Sequence, residues 1–282
     1  MFIVNRKMIK DILVLTHRLG QKKIGVAFGP KNLKCLIELL TPEKLNIKTP
    51  KLPNNSLIED LRLIHKANDE FQKEPRINIG GDHSLSIATI AQVLNHHPRL
   101  KVIWVDAHAD INTISQSKTK NFHGMPLSFL TQLDKTPAYT FSKNKLLFTN
   151  ILYIGLRDLD LAEKKTIKSN KIQCISIDTI RNDYKSAELA IKQFMGKNPV
   201  YLSFDVDSLD PSIMECTGTP VKDGLFEEET ASLLKPILEN PNLKGVDIVE
   251  FNAQDQEYEV VRDNMRVIYN IFKPLFVKNI SN

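Results

Sequence analysis

The chain has 282 residues, of which 42% are hydrophobic and 25% charged, a balance typical of soluble globular proteins. No apolar run approaches the roughly 20 residues that cross a bilayer, so composition argues against a membrane-spanning helix. The net charge of +5 comes without a dense Arg/Lys stripe, and we predict no nucleic-acid partner. Three widely spaced cysteines do not form a disulfide framework, which predicts a reducing, cytoplasmic compartment: Cys35, Cys174 and Cys216.

The N-terminal segment is basic and precedes the main fold pattern. Apolar residues at Ile9, Ile12, Leu13 and Leu19 fit one face of a helix, so an extra amphipathic helix is predicted within residues 1–22. The segment lacks the continuous apolar core of a secretory signal. Its basic character leaves a mitochondrial location as the alternative to the cytoplasm.

Short apolar runs and stretches of helical spacing alternate along the chain. The predicted strands are 22–29, 76–81, 101–107, 151–158, 172–178, 200–207 and 244–252. The predicted helices are 55–71, 84–94, 159–168, 186–195, 227–238 and 258–276. Such alternation, with strands apolar throughout, is typical of a mostly parallel sheet covered on both faces. The sequence predicts a three-layer α/β fold in one domain spanning 1–282.

Polar clusters follow several of these predicted strands. Open parallel sheets bind ligands at the carboxyl ends of their strands, so the clusters are expected to meet at one rim. They are GGDH (80–83), DAHAD (106–110), GLRDLD (155–160), DVD (205–207) and Glu250.

The clusters at 106–110 and 205–207 have the composition of a metal site. Asp106, His108 and Asp110 face one side if the chain stays extended, and Asp205 and Asp207 repeat the spacing. Four clustered carboxylates repel in a low dielectric, and bound cations would offset that repulsion. Oxygen and imidazole ligands without thiolate suit Mn²⁺, Mg²⁺ or similar ions. Two divalent ions would balance four carboxylates and activate water.

The glycine-rich segment GGDHS (80–84) adds a further ligand to this prediction. Its two glycines allow close backbone approach, and His83 would point from the rim toward the cluster. Asp82 is predicted to cap the turn or to orient a ligand histidine. Taken singly, an Asp-x-Asp pair or a Gly-Gly-Asp-His turn is equally well a cap or a salt bridge; together they favour metal binding.

With these pieces assembled, the chain resembles the arginase branch of the ureohydrolases from about Arg76 to the C-terminus. The motifs that carry the resemblance occur in the family's order. They are GGDHS (80–84), DAHADIN (106–112), NFHG (121–124), GLRDLD (155–160), SFDVDSLDP (203–211), TGTP (217–220) and DIVEFN (247–252). The resemblance implies a parallel sheet of about eight strands, and two Mn²⁺ per subunit. One ion would take His83, Asp106, Asp110 and Asp205, and the other would take Asp106, His108, Asp205 and Asp207.

The resemblance also implies a reaction: hydrolysis of L-arginine to L-ornithine and urea, by attack of a metal-bridging hydroxide on the guanidinium carbon. In this interpretation Asp110 orients the hydroxide, His123 carries the proton to the leaving amine, and Glu250 receives the guanidinium. An imidazole titrates near neutral pH and a carboxylate matches a planar guanidinium, so both residue types suit these roles.

Matching positions also imply how the amino-acid end of the substrate is held. Polar groups that would meet the α-carboxylate are Asn112, Thr119 and Asn121, with Gly124 beside them. Asp160 and Glu163 would meet the α-ammonium, and Thr219 would line the same pocket. Taken alone, Asp160 and Glu163 would equally well be an acidic pair at a helix N-terminus. Their joint presence favours arginine over agmatine.

Three alternatives stay open from the sequence. They are an agmatinase or other guanidino-compound hydrolase, a catalytically weak relative that binds metal or arginine, and a single-metal deacetylase of the same fold.

Family members are often trimers or hexamers, so a homo-oligomer is expected. Residues 22–34 are expected to be shorter than the family pattern, because the predicted strand runs almost directly into a helix. Lys120 and Leu161 stand where glycine and proline are common.

Overall fold

The computed structural model describes residues 11–41, 44–71 and 74–276. Its strands form one eight-stranded sheet in the order β2-β1-β3-β8-β7-β4-β5-β6, and every neighbouring pair is parallel. The strands are β1 (Asp11–Val14), β2 (Asn46–Lys48), β3 (Arg76–Ile79), β4 (Lys101–Val105), β5 (Ile151–Ile154), β6 (Gln173–Ile175), β7 (Val200–Asp205) and β8 (Leu243–Val249). The predicted parallel α/β sheet is confirmed.

Nine helices accompany this sheet in the described residues. They are α1 (Gly29–Leu40), α2 (Leu57–Asp69), α3 (Ser86–His96), α4 (Pro126–Leu130), α5 (Leu161–Ser169), α6 (Ile177–Asn182), α7 (Tyr184–Met195), α8 (Glu227–Leu238) and α9 (Tyr258–Phe276). Ser56, Asp160 and Ser176 cap their helices by accepting hydrogen bonds from first-turn amides.

Successive strand residues feed two separate cores, which makes the three layers. Ile103 and Val105 of β4 pack with α1 and α6 to α9, whereas Val102 and Trp104 pack on the opposite face with α3 and α4. The central strands are buried along their length because both faces are covered. Side chains placed just beyond their carboxyl ends therefore lie together at one rim.

The N-terminal predictions were wrong in the described part. Residues 11–14 form strand β1, paired with β2 and β3, not an amphipathic helix; residues 1–10 lie outside the described residues. The consecutive apolar residues Ile12, Leu13 and Val14 are all fully buried, which suits a strand covered on both faces.

The run 22–29 is not a strand either. Ile24–Ala27 form a single 3₁₀ turn, and α1 begins at Gly29 with Pro30 in its first turn. Ile24 and Phe28 are about half exposed, as they would not be in a central strand. The segment between β1 and α1 is thus residues 15–28, and the expected strand that runs almost directly into α1 was wrong.

Candidate active site

Three loops bring six predicted ligand side chains together at the rim. His83 Nδ1 lies 3.2 Å from Asp106 Oδ2, 3.0 Å from Asp110 Oδ2 and 3.2 Å from Asp205 Oδ2. His108 Nδ1 lies 3.0 Å from Asp207 Oδ2 and 3.5 Å from Asp106 Oδ1. Two groups of ligand atoms result, His83–Asp106–Asp205 and Asp106–His108–Asp207, each within 4.8 Å. Asp106 belongs to both groups.

The backbone of residues 106–110 is not extended, contrary to our prediction from the spacing. Strand β4 ends at Val105, and the chain then bends, with Asp110 in the left-handed region at φ 49°. Asp106 Oδ1 accepts the His108 amide at 2.6 Å, and Asp205 Oδ1 accepts the Asp207 amide at 2.8 Å. The two Asp residues therefore fix their own turns while their other oxygens face the cluster.

Neighbouring side chains fix the ring of His83. Its plane stacks on Trp104 with centroids 4.1 Å apart, and Nε2 lies 2.8 Å from Ser203 Oγ. The Trp104 indole donates to Asp106 Oδ2 at 2.9 Å. Asp82 caps the turn, as predicted, by accepting the Ser84 amide. These contacts aim His83 Nδ1 at the carboxylates.

The electrostatics of the cluster favour a bound cation. Burial, with Asp106 nearby, raises the pKa of Asp110 to about 6. Burial and neighbouring carboxylates also raise the pKa of Asp205 and Asp207. Burial opposes charge on His83 and His108, yet the attraction of the neighbouring carboxylates outweighs it and raises the pKa of both rings. The buried His83 Nδ1 has no well-formed hydrogen bond to any described residue despite three oxygens within 3.2 Å. An orphaned nitrogen facing carboxylate oxygens fits a metal ligand set.

The partly buried His123 and the buried Glu250 form a pair beside the cluster. His123 Nδ1 lies 3.1 Å from Glu250 Oε1, which also accepts the His83 amide at 2.9 Å. Burial lowers the pKa of His123, but the hydrogen bond that the ring donates to Glu250 outweighs it, and the pKa rises to about 9. Glu250 itself follows β8 with φ 66° and is 1% exposed. The left-handed residue turns its side chain back over the rim.

A cavity of about 230 Å³ opens above these groups. Its lining includes most of the residues predicted for substrate contact: Asn112, Gly124, Asp160, Glu163 and Thr219. It also includes Asp158, whose carboxylate lies 3.6 Å from His108 Nε2. Burial, with Asp110 nearby, raises the pKa of Glu163 to about 8. Acidic side chains dominate the cavity wall, and no Lys or Arg of the described residues lines it.

Thr119 and Asn121 stand apart from the other predicted contacts. Both lie in the loop between Asn112 and His123, and neither lines the cavity. Thr119 is exposed, and its hydroxyl accepts the Asn121 amide at 3.2 Å. Lys120, in the left-handed region at φ 61°, donates to the carbonyls of Ile114 and Ser115. Its ammonium therefore closes the loop on itself.

Asp160 and Glu163 have two structural roles beside the cavity. Asp160 and Glu163 form a reciprocal capping box at the start of α5, so they serve as the acidic helix start as well as cavity wall. Asn112 donates to Asp160 Oδ2 at 2.9 Å, which ties the two sides of the cavity together.

One cation close to the site is fully engaged by backbone. The Arg157 guanidinium donates to the carbonyls of Gly155, Asp207, Ser208, Leu209, Val221 and Lys222. Three separate segments are thereby joined behind the carboxylate cluster.

Several residues at the rim were not predicted from the sequence. Gln21 donates to Glu250 Oε2 at 2.5 Å across 229 positions of sequence, and no local pattern marks it. Asp158, Trp104 and Ser203 lie inside or next to quoted motifs, and their proximity to predicted ligands was the available signal.

The fold and the site define a class: α/β enzymes with a carboxylate–histidine centre at the carboxyl ends of a parallel sheet. Residues 14–272 match the model of the Arginase family, and the chain belongs to that family. It is 40% identical over 268 residues to an arginase of Glaciozyma antarctica, covering 83% of this chain and 77% of that protein. It is 37% identical over 263 residues to mitochondrial Arginase-2 of Rattus norvegicus, covering 83% and 74%.

A solved structure supports the same assignment. The crystal structure of Entamoeba histolytica arginase in complex with L-ornithine matches with a TM-score of 0.85 and 28% identity, covering 94% of this chain and 98% of that chain. The chain is thus an arginase-type ureohydrolase, as the motifs predicted.

Proposed function

We propose that this protein is a dinuclear Mn²⁺ arginase that hydrolyses L-arginine to L-ornithine and urea. The observation that carries the proposal is the convergence of His83 Nδ1, His108 Nδ1 and four carboxylates beside the His123–Glu250 pair. The ions would be held by the two predicted ligand sets, with Asp106 and Asp205 shared. When bound, two divalent ions would activate water for attack at neutral pH.

The residues of the chain supply binding and proton transfer. Glu250 receives the planar guanidinium, and Asp110 accepts a hydrogen bond that orients the attacking water. Water adds to the guanidinium carbon, the bond from that carbon to the side-chain nitrogen breaks, and urea leaves. His123, with a pKa of about 9, carries a proton at neutral pH and can deliver it to the leaving amine.

The acidic cavity suits the amino-acid end of the substrate in part. Asp160 and Glu163 would attract the α-ammonium, with Asp158 beside them and Thr219 and Gly124 in the wall. Asn112, Thr119 and Asn121 would meet the α-carboxylate. For the last two, this role requires the loop between Asn112 and His123 to approach the substrate.

A second candidate is agmatine hydrolysis. The cavity lining offers carboxylates and no Lys or Arg among the described residues, and the Asn112 amide already donates to Asp160. Those observations favour a substrate that lacks a carboxylate.

Urea release by the purified chain, loaded with Mn²⁺, tests both candidates. L-Arginine and agmatine are assayed side by side, with His108→Ala as the control that breaks one ligand set. Urea from arginine alone, lost in the variant, supports the proposal. Urea from agmatine alone keeps the reaction type and rejects the substrate. Mass analysis of the protein with Mn²⁺, Mg²⁺ and Co²⁺ tests the metal and the number of ions.

Assembly and location belong to the same proposal. We expect a homo-oligomer, a trimer or hexamer, in the cytoplasm; light scattering and cell fractionation test these points. Within the described residues, no helix is long and apolar enough to cross a bilayer.

A further inference from the structure

The loop between β1 and the first 3₁₀ turn, residues 15–23, lies against the rim at several points. The Gly20 carbonyl accepts the His123 amide at 3.1 Å, and the Gly20 amide donates to Asp82 Oδ2 at 2.8 Å. Lys23 donates to the Gly218 carbonyl. The loop therefore contacts the turn that carries His83, the segment that carries His123, and the TGTP segment.

A buried polar network anchors this loop from behind. His17 Nδ1 lies 3.0 Å from Asp60 Oδ2 on α2, and Nε2 lies 2.9 Å from Ser84 Oγ. All three side chains are fully buried. The His17 carbonyl accepts the Asp82 amide at 3.1 Å, and a Cβ on Gly81 would stand 1.6 Å from that oxygen. The loop and the His83 turn are thus packed backbone to backbone, and the loop position is fixed.

Gln21 is the side chain that the fixed loop presents to Glu250. The Gln21 amide nitrogen donates to Glu250 Oε2 at 2.5 Å. An ionised carboxylate only accepts hydrogen bonds, so the Gln21 nitrogen faces Glu250 and the amide oxygen faces away. That oxygen lies on the Gly218 side, where a Cβ would be 3.5 Å from Gln21 Oε1 and 3.9 Å from Glu250 Oε2.

The hydrogen bonds of Glu250 show which of its oxygens can still accept. Oε1 already meets the His83 amide and His123 Nδ1, which together occupy its two acceptor positions. Oε2 meets only Gln21 among the described residues, so one acceptor position is left. A carboxylate oxygen with a free acceptor position suits an N–H group of a planar guanidinium.

We propose that Gln21 is a positioning residue for guanidinium recognition, an inference that rests on the proposed function. Its amide nitrogen holds the Glu250 carboxylate so that Oε2 presents its free acceptor position to the substrate. Gln21 does not line the cavity that we assign to the amino-acid end of the substrate.

The test replaces Gln21 with Met, which has a similar length and no amide, and with Asn, whose amide is too short to reach Glu250. Lys22→Ala is the matched control, because Lys22 is the exposed neighbour in the same loop. We expect KM for L-arginine to rise about tenfold in both Gln21 variants, because a hydrogen bond to a charged group is lost. kcat should change less than threefold. Lys22→Ala should match the wild type.

Competition by L-ornithine separates positioning from a loosened loop. Ornithine keeps the amino-acid end and lacks the guanidinium, so its inhibition constant should stay within twofold of the wild type in both Gln21 variants. An equal weakening of ornithine and arginine, or an unchanged KM for arginine, would overturn the proposal.

Calorimetric titration of metal-free protein with L-arginine gives a readout without turnover. The Gln21→Met variant should bind about tenfold more weakly than the wild type and than Lys22→Ala. If the wild type binds arginine in this Gln21-dependent way but releases no urea when loaded with Mn²⁺, the proposed reaction fails and the role of Gln21 stands. If urea is released but arginine affinity is the same in all variants, only the role of Gln21 fails.

Discussion

The buried carboxylate of Asp247 and the four buried carboxylates of the rim have opposite surroundings. Asp247, in the middle of β8, accepts hydrogen bonds from Asn78, Ser86, Thr89 and Tyr201 at 2.6–2.7 Å. The four Asp residues of the rim instead face one another and two histidines. Both groups are buried beside the same sheet. A buried carboxylate with its own neutral donors belongs to the fold, whereas carboxylates that face each other require a cation from outside.

Among the variants, Asp205→Asn should have the largest effect on urea release, and it should change stability in the opposite direction to Asp247→Ala. Losing a shared ligand should reduce urea release at least about a hundredfold. The same variant should unfold at a higher temperature than the wild type when both are metal-free, because one of the repelling charges is gone. Thermal unfolding with and without chelator checks this. A lower unfolding temperature without metal would mean that the rim carboxylates are not in conflict.

Asp247→Ala should act with the opposite sign on stability. It removes the acceptor that the buried hydroxyls of Ser86, Thr89 and Tyr201 share, at a cost of about 3–5 kcal/mol in the free energy of unfolding. Denaturant titration measures the loss, and bound Mn²⁺ per folded chain should not change. An unchanged free energy of unfolding would erase the distinction between the two groups.

Glu163→Gln tests an intermediate case, a buried carboxylate at the cavity wall. Its pKa is raised to about 8 from 4.5, so the fold of the wild type holds a proton more tightly than the unfolded chain does. Wild-type stability therefore falls as pH rises from about 4.5 through 8, a decline that glutamine removes. The variant should gain roughly 2–3 kcal/mol over the metal-free wild type between pH 5 and pH 8. A gain that is independent of pH contradicts the raised pKa.

Thr219→Val should give the smallest effect. The Thr219 hydroxyl donates to Asp207 Oδ2 at 2.7 Å and is one of the few neutral donors that the rim possesses. Its loss should cost about 1 kcal/mol of stability and weaken Mn²⁺ binding a few-fold. Thr217→Val, in the same segment, is the control, since the Thr217 hydroxyl has no hydrogen-bond partner within the described residues. Equal Mn²⁺ affinity in the two variants would show that the Thr219 hydroxyl does not contribute to metal binding.

The sequence predicts the centre of this fold better than its edge. The runs around β3, β4, β5, β7 and β8 are apolar and end in polar clusters, so periodicity and strand-end chemistry point the same way. Strand β2 has three residues and only partial burial, and its pattern carries no signal. At β1 the apolar residues Ile12 and Leu13 also fit a helical face, and only pairing with β2 and β3 decides between the two.

The grouping of the predicted ligand side chains at one rim was predictable for a related reason. His83, Asp106 and Asp205 follow strands that the pattern identifies, and parallel strands bring their ends to one rim. The exact turn at Asp110 could not be predicted, because a left-handed residue there depends on contacts that the folded chain makes. Gln21 and His17 reach partners 229 and 67 positions away, and nothing in their neighbours announces such pairings.

Arg157 shows how a protein built to act on guanidinium groups accommodates one of its own. Its N–H groups donate to carbonyl oxygens of three segments. A carbonyl is a neutral acceptor, so these hydrogen bonds do not neutralise the guanidinium charge. A free guanidinium entering the cavity meets carboxylates instead. Next to the carboxylate cluster, the Arg157 guanidinium therefore braces three segments through neutral oxygens, whereas a guanidinium that arrives from solution meets carboxylates in the cavity.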